Sequence, residues 1–237
     1  MKRSFLALAL AASLAAPALV FGGPFQEFET QLRAAYGQYR TALFQSNSGN
    51  EQATDAALNA WAAEWGALRA AWQETPPPQY ADDPGFADTL DQVDAVTAKA
   101  FNQVAAGDLP GAHVTLEAIR DALGDLHMRN GIVTFSDRMN TYHARMEHVL
   151  ETDFRAMGDA ALGTLREEVA VLGFLAQDIA TYPAPEARNP AYAGLVEGLQ
   201  ASVAALSDAV RSGDLDAALQ AVGGLKMPYA KLFAKFG

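Results

Sequence analysis

Cysteine is absent from all 237 residues. Its absence excludes disulfides, thiolate metal sites and covalent c-type haem attachment. Period-two alternation of β-branched residues is missing too, so nothing in the chain reads as a strand. Basic charge is scarce, with 17 Lys and Arg against 28 Asp and Glu. Apolar runs are short everywhere after residue 22, so no membrane insertion is expected. No HExxH, Ser-His-Asp or Cys-His arrangement is visible.

What is present begins with Met1-Lys2-Arg3, followed by an apolar run from Phe5 to Val20 and small residues. Ala16-Pro17-Ala18 and Val20-Phe21-Gly22 both suit cleavage. Residues 1–22 are therefore expected to be a secretory signal peptide, which points to a periplasmic or secreted protein. Without Lys2 and Arg3, 15 basic residues face 28 acidic ones, a net charge of −13. Such a chain is not expected to bind nucleic acid or anionic membrane, and it suits cations.

The rest of the chain carries helical periodicity. Phe28, Leu32, Ala35, Tyr36, Tyr39 and Leu43 mark a first helix from Phe25 to Phe44, followed by a polar loop from Ser46 to Asn50. Ala53 to Trp72 forms a second, with Trp61, Trp65, Leu68 and Trp72 on one side, and Pro76-Pro77-Pro78 ends it. Pro84 to Val104 gives a third. A fourth starts at Gly107-Asp108, with Leu109, Ala112, Leu116, Ile119, Leu123 and Leu126 as its seam. Asn130-Gly131 stops it, and Thr134 with Asp137 caps the next helix. That helix buries Phe135, Met139, Tyr142, Met146 and Val149.

The second half repeats this plan. A shift of 106 places Pro84-Gly85-Phe86 on Pro190-Ala191-Tyr192 and Gly107-Asp108-Leu109 on Gly213-Asp214-Leu215. The first helices align at 107, Phe28 with Phe135 and Tyr36 with His143. The expectation is an all-α protein of two tandem up-down four-helix bundles, over residues 23–131 and 132–237.

All four histidines lie between Gly107 and Leu150. With Leu109 as heptad position a, His113 falls at e and Glu117 at b. Arg120 and His127 also fall at e. With Met139 as a, His143 falls at e and Glu147 at b. Two HxxxE motifs thus flank two seams joined by a short turn, which favours antiparallel neighbours. Each histidine is expected opposite the other helix's glutamate. The second copy has lost its version of this stripe, since His113 aligns with Leu219 and Glu117 with Gly223. Imidazoles and carboxylates at i and i+4 on facing helices suit a transition-metal site.

The expected ligands are therefore His113, Glu117, His143 and Glu147, with Met139, Met146, His127 and His148 as further candidates. Met139, His143 and Met146 share one helix face and put copper, especially Cu(I), ahead of iron and then zinc. Against this stand simpler roles. Met139 and Met146 fit core packing. His127 fits a cation at a helix C-terminus, and His148 a solvated side chain. Glu117 and Arg120 form an ordinary i, i+3 pair.

The repeat unit resembles the soluble four-helix cytochromes of the c-prime and b type, in helix number, length, up-down order and a histidine near the end of the fourth helix. The likeness covers about half the chain per copy and implies fold alone. The CxxCH motif is missing. A b-type haem would use His127 and a methionine early in the first helix, and Phe25 to Phe44 holds no methionine, so no haem is expected. Two rivals to a metal carrier, store or sensor remain. One is a helical adaptor that docks a protein partner through Trp61, Trp65 and Trp72. The other is a metal enzyme with Glu151 as base.

Overall fold

A computed structural model describes residues 22–237; apart from Gly22, the expected signal segment lies outside the described residues. These residues are all-helical, with no strand among them. The helices are α1 (Pro24–Asn47), α2 (Glu51–Trp72), α3 (Phe86–Ala105), α4 (Leu109–Arg129), α5 (Phe135–Glu151), α6 (Ala161–Thr181), α7 (Ala191–Ser212), α8 (Leu215–Gly223) and α9 (Lys226–Phe236). A 3₁₀ segment, Phe154–Ala160, links α5 to α6. No helix among the described residues is long and apolar enough to cross a membrane.

Local chemistry sets the boundaries. Asp108 caps α4 by accepting from the Gly111 amide at 2.9 Å. At the other end Gly131 takes φ +67°, and the Ile132 amide returns to the His127 carbonyl at 2.9 Å, closing the last turn. Thr134 and Asp137 form the expected capping box of α5. Several boundaries differ from the sequence reading, two of them for a visible local reason. Ser46 and Asn47 extend α1 because Ser46 turns inward and is buried. The fourth helix of the second half breaks at Gly223-Gly224 into α8 and α9. Two consecutive glycines carry the largest backbone-entropy cost of helix formation.

Packing is strongest between α1 and α2 and between α3 and α4, with α1 also on α4. In the second half α5 packs on α6, α6 on α7, and α7 on both α8 and α9. Every expected seam residue of α4 and α5 is buried. Trp61 and Trp65 are buried as well, and Trp72 packs partly against the core. Their indole N–H groups reach Thr97 at 2.9 Å, Asp94 at 2.6 Å and Gln31 at 2.9 Å. A tryptophan docking face is therefore not what α2 presents. Its aromatic side faces inward, and its polar tips already have partners.

The two halves meet where α1 touches α9 and α5 approaches α4. Arg33 and Arg40 of α1 donate to backbone carbonyls of Phe236 and Gly237 across this seam, and Arg33 also pairs with Glu186. Arg40 is itself buried.

Candidate metal centre

His113, Glu117, His143 and Glu147 all line one cavity of about 290 Å³. Its walls come from the end of α1, the first half of α4, the second half of α5, and α9. Helical spacing explains the convergence. In each of α4 and α5 the apolar seam is buried in the core, and the residues flanking the seam are left beside the cavity.

The contacts across this cavity differ from the expected pattern. Each glutamate sits nearest the histidine of its own helix, with His113 Nε2 at 3.9 Å from Glu117 Oε1 and His143 Nε2 at 3.5 Å from Glu147 Oε1. The cross-helix contact is instead Arg120 Nη1 donating to His143 Nδ1 at 3.1 Å. The cause is the separation of the two helices: α4 and α5 touch only sparingly, while α1 and α9 fill the flanks. Arg120 is long enough to reach across where a glutamate is not. It also lies 3.8 Å from Glu117.

The two imidazoles are held in opposite tautomers. His113 Nδ1 lies 3.1 Å from the Leu43 carbonyl and 3.3 Å from Ser46 Oγ. A carbonyl can only accept, so Nδ1 carries the proton, and in neutral His113 the lone pair sits on Nε2. His143 is the reverse: Nδ1 accepts from Arg120, so the proton of the neutral ring is on Nε2, facing Glu147. Burial lowers the His143 pKa, with Arg120, Lys226 and His113 adding to it, down to about 3. His143 is thus neutral at physiological pH. Tyr229 of α9 lies against its ring, centroids 5.1 Å apart.

The remaining candidates separate cleanly. Met146 is fully buried and lines the cavity. Met139 is equally buried but does not line it, so the Met139, His143 and Met146 trio is corrected to a pair. Met139 lies one helical turn nearer the start of α5, inside the core. His148 is exposed, 3.7 Å from Glu168.

His127 belongs to another network. Its Nδ1 lies 2.8 Å from Asp137 Oδ2, and its Nε2 lies 3.6 Å from Glu29 Oε2. Glu29 also accepts from the Tyr80 hydroxyl at 2.6 Å, and Asp137 from Thr134. Burial alone would lower the His127 pKa, but the two carboxylates outweigh it and raise it to about 9. The expected role at a helix end is therefore enlarged: His127 is a buried cation clamped between α1 and α5.

Lys226 and Tyr229 are cavity residues that sequence reasoning missed. Lys226 Nζ lies 3.5 Å from Glu147, and the buried Tyr229 hydroxyl has no hydrogen-bond partner among the described residues. Both sit in α9, about 80 residues from the paired motifs, with no local signal to connect them. Among the described residues, no three His, Asp or Glu side chains converge closely enough to hold a metal as they stand. Comparison of the chain with protein-family models, curated proteins and solved structures finds no match.

Proposed function

We propose that the chain is an exported metal-binding protein that takes a transition metal into the cavity between α4 and α5. Copper stands first, then iron and zinc. The observation that carries this is the meeting of both HxxxE motifs in one cavity, with His113 held by a backbone carbonyl so that Nε2 is its free nitrogen. A backbone carbonyl on the non-ligating nitrogen is the usual support of a metal-binding imidazole. Binding would draw the side chains inward, since four carboxylate and imidazole groups line one small volume without yet sharing one point. The unpartnered Tyr229 hydroxyl adds a buried polar atom that a bound group or its water would satisfy.

The proposal includes two further readings. The first is that the halves are tandem four-helix copies. Helix starts at residues 86 and 191, and at 109 and 215, support this at offsets of 105 and 106. The break between α8 and α9 falls beside Gly223, which aligns with Glu117, so the second copy lacks both the stripe and the continuous helix beneath it. The second is export with loss of residues 1–22. A b-type haem is disfavoured because His127, the ligand it needs, is committed to Asp137 and Glu29.

Elemental analysis after expression in a periplasm tests the reading. Purified protein should carry close to one equivalent of copper, iron or zinc, and His143→Ala should carry little. Metal content that is negligible in both, or equal in both, contradicts it.

A further inference from the structure

We infer that this cavity takes a monovalent soft cation, Cu(I) or its analogue Ag(I), in preference to a divalent ion. The inference rests on the metal-binding reading above and specifies its cargo.

Charge comes first. The cavity is lined by two cations, Arg120 and Lys226, and two carboxylates, Glu117 and Glu147. They are already matched: Glu117 lies 3.8 Å from Arg120, and Glu147 lies 3.5 Å from Lys226. The fixed charge around the cavity is therefore balanced before any metal enters. The cost of drawing charge out of water rises with its square, so even at this partly open cavity a divalent ion loses more than a monovalent one. To compensate a divalent ion, the carboxylates would have to give up their cations.

The donors left over point the same way. Three further donors line the cavity: the His113 imidazole, the His143 imidazole and the Met146 thioether. Met146 is fully buried and sits one turn from His143 on the same helix. Two imidazoles and a thioether form a low-coordinate, soft donor set, which suits Cu(I) over Zn(II). His143 becomes a ligand only when Arg120 leaves its Nδ1. Arg120 has carboxylates waiting, Glu117 at 3.8 Å and Asp121 at 3.4 Å. Arg120 is thus a positioning residue that guards His143 until a cation displaces it.

Competition titrations of the full chain at pH 7 with Ag(I) and with Zn(II) test this, and the site is identified by its loss in His113→Ala. Ag(I) is expected to bind at least tenfold more tightly than Zn(II). Met146→Leu, a near-isosteric change that keeps the core filled, should weaken Ag(I) at least tenfold and leave Zn(II) within about threefold. Arg120→Gln combined with Lys226→Gln should narrow the gap by freeing both carboxylates for a divalent ion. Zn(II) binding as tightly as Ag(I) at the His113-dependent site overturns the monovalent inference and leaves a metal site standing. So does a Met146→Leu protein that is folded, by its melting curve, and binds Ag(I) unchanged. If neither ion has a His113-dependent site, the metal-binding reading falls and this inference with it.

Discussion

Stability is expected to fall as pH rises from about 6.5 to about 9, by an amount on the order of 3 kcal/mol, because His127 loses its proton in that window. His127 is 5% exposed, clamped between Asp137 at 2.8 Å and Glu29 at 3.6 Å. Burial opposes its charge, and the two carboxylates more than offset that cost. The sign follows from the direction of the shift. The folded-state pKa lies above the unfolded one, so the folded protein binds the proton more tightly. The stabilisation is fully present below the unfolded value near ~6.5 and is lost as pH passes the folded value. His127 lines a second cavity, of about 700 Å³ and separate from the one between α4 and α5, together with Arg33, Arg138 and Glu186, and the two arginines are paired with Glu186 and Asp178. Chemical denaturation across pH 6 to 10 measures the slope. His127→Gln should be less stable at pH 7 and should lose the slope between 6.5 and 9. Equal slopes in both proteins would mean that His127 is not a buried cation.

Bound metal is expected to raise the melting temperature of the wild-type chain by roughly 10 °C at a free metal concentration near a thousand times Kd. That excess stabilises the folded state by about 4 kcal/mol, and a chain of this size gains about 2–4 °C per kcal/mol. His113→Ala and His143→Ala should each lose most of the gain, since they lie on different helices and remove different ligands. His127→Gln should start lower but keep the full increment. His127 sits on the same helix as His113, about four turns along, and does not line the cavity. Melting curves with Cu(II), Zn(II) and Fe(II) added measure this. If all three variants gain as the wild type does, the histidines at the cavity are not ligands.

The helices were legible in the sequence because their signals are local. The seam from Leu109 to Leu126, the stop at Asn130-Gly131 and the Thr134–Asp137 box each depend on residues within a few positions, and each is found as read. Heptad phase also placed four polar residues beside one cavity, since phase alone determines which side of a helix a residue occupies. Contacts across that cavity were not legible. The pairing of His143 with Arg120 depends on how far apart α4 and α5 stand, which is set by α1 and α9. Lys226 and Tyr229 arrive through a helix whose start is fixed by two glycines far along the chain. His127 read as a helix-end cation because Asp137 was already assigned to capping and Glu29 lies 98 residues away. Its charge was legible, but the residues that hold it were not.

The most direct measurement is an anomalous difference map from a crystal soaked with Ag(I) or Cu(I), collected where the metal scatters anomalously. The account predicts one dominant peak between α4 and α5, within bonding distance of His113 Nε2 and reachable by Met146 and His143. A dominant peak elsewhere, or a cavity still bridged by Arg120 and His143 with no peak beside His113, would contradict it.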